Sequence, residues 1–509
     1  MAAVLLDGRL PVTGWAPTTR GFDRSTLASH PMTRLDPLTG KPYPRDLIGY
    51  GRDLPHAQWP NGARVAVQFV INYEEGGENC LLHGDGQSEA FLSEIVGAAP
   101  WPGQRHMNME SIYEYGSRAG FWRLHRMFTD RKMPVTVYAV ATAMARYPDA
   151  VKAMNEAGWE IATHGYKWIE YKDFTKADEA KHIHEAIRLH TEVAGGRPLG
   201  FYQGRCSINT TDIMMEEGGF LYTADSYADD LPYWLQGPKG PQLVVPYTLD
   251  ANDMRFATPQ GFNAGDQFYS YLKDSFDVLY AEGAERPKML SVGLHCRLIG
   301  RPGRAAALAR FLDYVKSHDK AWVPTRLEIA RHWIKTHPPQ GGYKPSAMPR
   351  GLFIERFGDI FEHTPKIAAM AYDAGLGPQD DTQRGLTERM VNAMRKLSDG
   401  EKLALIKAHP DLAGRLALAK QLTADSAKEQ GSAGLDRLTP DELKRFQDFN
   451  SAYVSKFGFP FIFAVKGKSK ADILASFEHR MGNTRDEEFN TALAQIERIA
   501  ALRFADRLD

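Results

Sequence analysis

Two adjacent carboxylates, Glu74 and Glu75, stand at the end of an apolar run in the segment INYEEGGENC, residues 71–80. Neighbouring acids resist ionising together, so one can be driven to a raised pKa and move protons near neutrality while the other stays charged. Further along come His164 with Trp168, Gly204-Arg205, Asp225 with Tyr227, Asp229 and Asp230, then Asp250, Asn252 and Asp253, and finally His295 with Arg297. Gathered in one place, such groups suit hydrolysis by general acid–base catalysis, with cations or N–H donors for a developing oxyanion. Singly, each has a plainer explanation: a turn acid before Gly76-Gly77, a hydrogen-bonded core histidine, a structural Arg205–Asp225 ion pair, a polar loop at 250–253. What joins them is position, because each follows a short apolar run.

Those runs lie at 66–72, 135–140, 160–164, 199–203, 221–225, 243–247 and 289–295, with a weaker one at 322–325. They are rich in β-branched and aromatic residues. They alternate with helical patterns such as 111–128 and 178–193, where apolar residues recur at spacings of three and four. This rhythm predicts an α/β fold, a distorted (β/α) barrel that is closed or nearly closed, over residues 1–335. Parallel barrels collect reactive side chains where strands end, so one shared site is expected. Residues 336–350, THPPQGGYKPSAMPR, are dense in Pro, Gly and Lys and lack an apolar period, which predicts a linker. Residues 351–509 then read as an all-α helical bundle. Thr439-Pro440-Asp441-Glu442 and Thr484-Arg485-Asp486-Glu487 supply its cap-and-carboxylate helix starts.

The chain has 509 residues, enough for two or three domains; 43% are apolar and 25% charged, as in soluble globular proteins. Lys plus Arg number 62 against 63 for Asp plus Glu, so no net field favours nucleic acid or an anionic membrane. Cys80, Cys206 and Cys296 are far apart and in no CxxC arrangement. A reducing, cytoplasmic setting is expected. No run is long enough for a signal peptide or a transmembrane span.

The order of motifs in residues 40–335 resembles the polysaccharide deacetylase (NodB-like) superfamily: a strand followed by two acids, a strand ending in His, a strand with Arg, Asp-Ser-Tyr, and a strand ending Leu294-His295. In metal-using members, the resemblance implies, the first acid is the base, and the second acid and two histidines four residues apart hold a divalent ion. Here the position four after His164 is Trp168, which cannot ligate a metal. That substitution, with YPRDLIGYG (43–51), LHGD (82–85), MESIYEYGSRAGFWRL (109–124) and THGYKW (163–168), is similar to the cofactor-independent allantoinase branch. The implied reaction is hydrolysis of the hydantoin ring of allantoin to allantoate, with no metal and no cofactor. Glu74 would take a proton from water, and Glu75 would position water or a ring N–H. Arg205, His164 and His295 would stabilise the oxyanion, with Asp225 or Asp229 orienting them, and Trp168, Asp225 and Tyr227 would contact substrate. Ile208 stands where the superfamily commonly has proline, which alters the loop without removing the Arg205 charge.

In the helical part AHPDLAG (408–414), LTADSAKEQGSAGL (422–435) and FGFPFIFAV (457–465) resemble the decarboxylase of 2-oxo-4-hydroxy-4-carboxy-5-ureidoimidazoline (OHCU). By that resemblance His409 is the acid that attends protonation, on one face, of the electron-rich carbon left by decarboxylation, and Glu429 holds its proton state and binds ureido nitrogen. Ser426 and Gln430 add hydrogen bonds. Pro410, Phe461, Ile462, Phe463, Ala464 and Val465 line the substrate, the last five offering backbone amides and a dry wall. Pro410 disfavours helix at His409 and so should hold the imidazole at a helix end. His363 is explained by Thr364 as N-cap and Pro365 as first helical residue, and Arg503 is expected on a solvated helix surface.

The two implied reactions are consecutive, the product (S)-allantoin being the substrate of the other part. The expected partners are therefore the small molecules OHCU and allantoin, in a homo-oligomer without nucleic acid or membrane. The rival readings are a metal-dependent amide deacetylase joined to a non-catalytic helical interaction domain, or a hydrolase of another cyclic ureide or imide.

Overall fold

VAVQFVINY forms β1 (Val65–Tyr73), buried along its whole length, as expected of a central parallel strand covered on both faces. In the computed structural model, which describes residues 35–36, 38–41, 43–339, 344–410, 412 and 438–508, the chain divides into two compact units at Leu47. In the first unit, the Asp36 carboxylate accepts from Leu38 N at 3.0 Å and Thr39 Oγ1 at 2.8 Å. All else below concerns the second.

After β1 come β2 (Thr136–Ala139), β3 (Glu160–Thr163), β4 (Gly200–Phe201), β5 (Tyr222–Thr223), β6 (Tyr233–Gly237), β7 (Gly240–Val244), β8 (Lys288–His295) and β9 (Ala321–Trp322). Their order is β6-β7-β5-β4-β3-β2-β1-β8, with β9 pairing the start of β1. All pairs are parallel except β6 with β7, joined through Pro238-Lys239. The sequence reading missed β6, although the Gly-Pro-Lys-Gly turn is a hairpin signal. The path is open, so the barrel is distorted and incompletely closed. Its gap is bridged by Met289 N donating to Asp230 O and Gly293 N to Ala251 O, both at 3.0 Å.

Strand alternation sorts the core. Val65, Val67, Phe69, Ile71 and Tyr73 pack outward against the helices Phe121–Arg131, Gly265–Glu282 and Pro302–Lys316. Ala66 and Val70 point inward, towards Tyr138, Tyr202 and Tyr247. The expected helix over 111–128 is two helices, Met107–Tyr115 and Phe121–Arg131, joined by a π-turn at Gly116–Gly120. The glycines explain the interruption. A Cβ on Gly116 would stand 2.4 Å from Glu75 Oε1, and one on Gly120 2.0 Å from Cys296 O, so only bare backbone can pass this close to the strand ends.

Beyond the strands, the helical part comprises helices Arg350–Phe357, Pro365–Asp373, Gln383–Arg395, Asp399–Ala408, Pro440–Phe457, Lys470–Arg480 and Arg485–Arg507 among the described residues. Thr439 with Glu442, and Thr484 with Glu487, form the expected capping boxes. Pro345 and Met348 are buried, so this described stretch of the expected linker is packed. One apolar cluster continues from Trp333 through Met348, Leu352 and Phe353 into the helical part. No helix among the described residues is long and apolar enough to cross a membrane.

Candidate functional sites

At the carboxyl end of β1, alternation sends the two neighbouring acids different ways. Glu74 stays inside the barrel mouth, where its Oε1 lies 3.3 Å from His164 Nε2 and 3.5 Å from His295 Nε2. Its Oε2 accepts from Arg297 Nη2 at 2.6 Å. Glu75 turns under Gly116; its Oε1 accepts from Arg297 N at 3.2 Å and Nη1 at 3.3 Å, and its Oε2 from Glu74 N at 3.2 Å. Both acids are buried. Burial opposes ionising Glu74, but Arg297, His295 and His164 outweigh it and hold the carboxyl well below the usual range. For Glu75 burial wins, aided by the charge on Glu74 and only partly offset by Arg297, so its pKa is raised.

His295 is oriented by Asp253, not by the Asp225 or Asp229 named from the sequence. Its Nδ1 lies 2.6 Å from Asp253 Oδ1, while Asp253 Oδ2 accepts from His295 N at 2.7 Å and Ile299 N at 3.0 Å. Burial disfavours the imidazolium, yet Glu74 and Asp253 together push His295 up to about 9 from an ordinary 6.5. This raised value stabilises the fold fully below about pH 6.5, and that contribution is lost as pH rises through about 9. If the imidazolium is the acid, log kcat/KM should bend downward near pH 9. In Asp253→Asn, which weakens the carboxylate field, the bend should move to lower pH; an unmoved bend would exclude His295 as its source.

The remaining expected residues are placed less centrally. Trp168 is buried between Arg205 and Arg297, its N donating to Gly77 O at 2.8 Å. Arg205 does not reach Glu74: its guanidinium lies 3.7 Å over the Trp168 ring and pairs with Glu89 at 3.5 Å. Asp225 accepts from Gln203 N and Gly204 N, both at 2.8 Å, which shapes the loop carrying Arg205. Asp229 accepts from Leu231 N at 3.0 Å. Tyr227 is exposed, its hydroxyl 2.9 Å from that of Tyr202. Of the polar loop, Asp250 holds Thr248 and Tyr271 and Asn252 caps Met254, so only Asp253 faces the chemistry. The site assignment drawn from sequence omitted Asp253 and Arg297. Both stood at strand ends in the sequence, but nothing local indicates which way they point.

The arrangement does not fit a divalent ion. Trp168 removes one ligand, Arg297 stands between the two carboxylates, and no cluster of three His, Cys, Asp or Glu among the described residues could hold a metal.

In the helical part His409 terminates Asp399–Ala408 in extended geometry, as Pro410 requires. Its Nδ1 lies 2.9 Å from Leu405 O, and its buried Nε2 has no hydrogen-bond partner among the described residues. Burial, reinforced by Arg503 and His363 and opposed by the Leu405 carbonyl and Glu362, pushes its pKa down to about 4. Arg503 is not on a solvated surface: it is buried, pairing with Glu362 at 2.9 Å and donating to Ile360 O at 3.1 Å. His363 adopts φ +51°, and Thr364 Oγ1 bonds Glu362 O in place of capping the helix. Phe461, Ile462, Ala464 and Val465 are buried and Phe463 is half-buried. Arg480 Nη1 holds Ile462 O at 2.6 Å, and Ala464 N is taken by Gln495 Oε1 at 3.0 Å, so that amide is not open to substrate. Ser426, Glu429 and Gln430 lie outside the described residues.

Comparison with known proteins matches residues 109–213 to the polysaccharide deacetylase family and residues 346–505 to OHCU decarboxylase. The chain belongs to the polysaccharide deacetylase family through its α/β part and to the OHCU decarboxylase family through its helical part. A polysaccharide deacetylase-family protein of Schizosaccharomyces pombe is 41% identical over 314 residues, 58% of this chain and 98% of that one. An OHCU decarboxylase of Halalkalicoccus jeotgali is 40% identical over 154 residues, 30% of this chain and 84% of that one. The crystal structure of PuuE allantoinase superposes with a TM-score of 0.58 at 61% identity, covering 58% of this chain and 99% of that one.

Proposed function

We propose that the chain catalyses two consecutive steps of urate degradation: decarboxylation of OHCU to (S)-allantoin in residues 351–509, and hydrolysis of its hydantoin ring to allantoate in residues 1–335. The observation that carries the second step is the Asp253–His295–Glu74–His164 constellation, in a barrel that is 61% identical to a PuuE allantoinase. Water held by Glu74 Oε1 loses a proton to it and attacks the ring carbonyl. Imidazolium His295 donates to the oxyanion or the departing ring nitrogen, and the C–N bond breaks to give carboxylate and ureide. Glu74 alone is a weak base beside two cations, but its basicity rises as His295 surrenders its proton, which couples the two transfers. Glu75, with both oxygens engaged, acts through Arg297 and the Glu74 peptide. Trp168 and Tyr227 line the mouth, and Arg205 supports Trp168.

For decarboxylation, a neutral His409 whose Nε2 has no hydrogen-bond partner among the described residues suits taking the proton of the substrate hydroxyl as CO2 leaves. Returning it to the adjacent ring carbon on one face sets the (S) configuration. Glu429, Ser426 and Gln430 keep their proposed binding roles, with Pro410 and 461–465 as wall. A homo-oligomer in the reducing cytoplasm completes the proposal; sedimentation tests the first. Circular dichroism of fresh urate-oxidation product with purified protein tests the reactions: a dextrorotatory signal should rise and then vanish as allantoate forms, and product decay no faster than in buffer sinks the assignment.

A further inference from the structure

We propose that Arg297 is the built-in cation of the ring-opening site, deciding which of two adjacent carboxylates is presented to substrate. This rests on the ring-opening reading above. Arg297 is fully buried. Its Nη2 holds Glu74 at 2.6 Å, its Nη1 and backbone N hold Glu75 at 3.3 and 3.2 Å, and its Nε donates to Leu92 O at 2.8 Å. Its guanidinium carbon lies 4.3 Å from the Tyr113 ring centre and 5.1 Å from that of Trp168. The Trp168 indole, four residues after His164, thus flanks this guanidinium. Two buried acids side by side need a positive charge, and a planar fork can clamp one oxygen of each. Clamping Oε2 of Glu74 leaves Oε1 for the two imidazoles and water. Arg297 is a positioning residue, because it acts through Glu74 and Glu75.

Arg297→Ala should lower kcat/KM for ring opening by on the order of 10²–10³-fold. Guanidinium ion at tens of millimolar should restore a large part of it, and the acid limb of the pH profile should move up. Calorimetric titration with Zn2+ provides a readout independent of turnover: no heat with the wild type, and binding by Arg297→Ala once the carboxylate pair is exposed. If Arg297→Ala does not fold, Arg297→Lys serves, with kcat reduced, KM little changed and the acid limb displaced. A folded variant with near-wild-type activity, an unmoved acid limb, or stoichiometric Zn2+ binding by the wild type overturns the proposal. A wild type that leaves allantoin intact refutes the ring-opening reading instead, and the Zn2+ titration still decides the role of Arg297.

A separate observation leads us to infer that the two sites exchange their intermediate through solvent. Glu74, His164 and His295 sit at the carboxyl ends of the strands, whereas the helical part is joined at the amino ends. Arg326 N donates to Thr136 Oγ1 and Leu327 N to Glu160 Oε2, both at 2.9 Å, which seats helix Arg326–Thr336 at the starts of β2 and β3. That helix pairs with the helical part through Arg331–Glu355 at 3.0 Å. Gly351 N bonds Gly218 O at 3.0 Å, just before β5. Between the ends the barrel interior is plugged by buried Arg326, held by Gln68, Ser291 and the carbonyls of Val245 and Pro246. The nine residues of β1 alone span ~30 Å. With labelled OHCU and a pool of unlabelled (S)-allantoin, labelled allantoate should appear after a lag and be diluted in proportion to the pool. Undiluted labelled allantoate from the first turnover overturns the inference. Absence of labelled allantoin and allantoate alike refutes the functional reading.

Discussion

Glu74→Gln is expected to accumulate dextrorotatory (S)-allantoin from OHCU, with ring opening reduced by about 10²–10⁴-fold. The amide keeps the size of the carboxylate but cannot take a proton from water, and it no longer balances Arg297 and His295. A second consequence follows from the same loss. A buried charge stripped of its partner costs roughly 3–5 kcal/mol, so the α/β part should also melt at a lower temperature. His295, deprived of the Glu74 field, should lose its proton at lower pH. Allantoate formation at the wild-type rate by a folded Glu74→Gln protein would remove Glu74 from the chemistry.

His409→Asn is expected to stop the sequence one step earlier, with no enzymatic dichroic signal, and to reduce decarboxylation by about 10²–10⁴-fold. Asparagine can reproduce the hydrogen bond to the Leu405 carbonyl and preserve the helix end, but it cannot accept and return a proton. The two variants are diagnostic together because each leaves the other site untouched. (S)-Allantoin supplied directly should be hydrolysed normally by His409→Asn, and retained OHCU turnover in that variant would sink the assignment.

Much of the architecture is legible in local sequence pattern. Strand and helix periodicity placed eight of the nine strands among the described residues to within a few residues, capping chemistry located helix starts at Thr439 and Thr484, and motif order indicated both families. These features are local: each depends on residues within a few positions of one another. Trp168, by its inability to bind metal, carried the sharpest functional message of any single residue.

Tertiary structure alone decided how charge is shared among groups far apart in the chain. Glu74 and Glu75 are neighbours with identical side chains, yet one is held low and the other raised. Arg297, more than two hundred residues away, joins His295 and His164 in holding Glu74 low, whereas burial and the charge on Glu74 raise Glu75 and Arg297 only partly offsets them. The same holds for Asp253 as the partner of His295, for Arg205 stacked on Trp168 away from Glu74, and for Arg503 buried against Glu362. Pairing and burial set a side chain's proton state and direction, and both arise only when distant strand ends and helices are brought together.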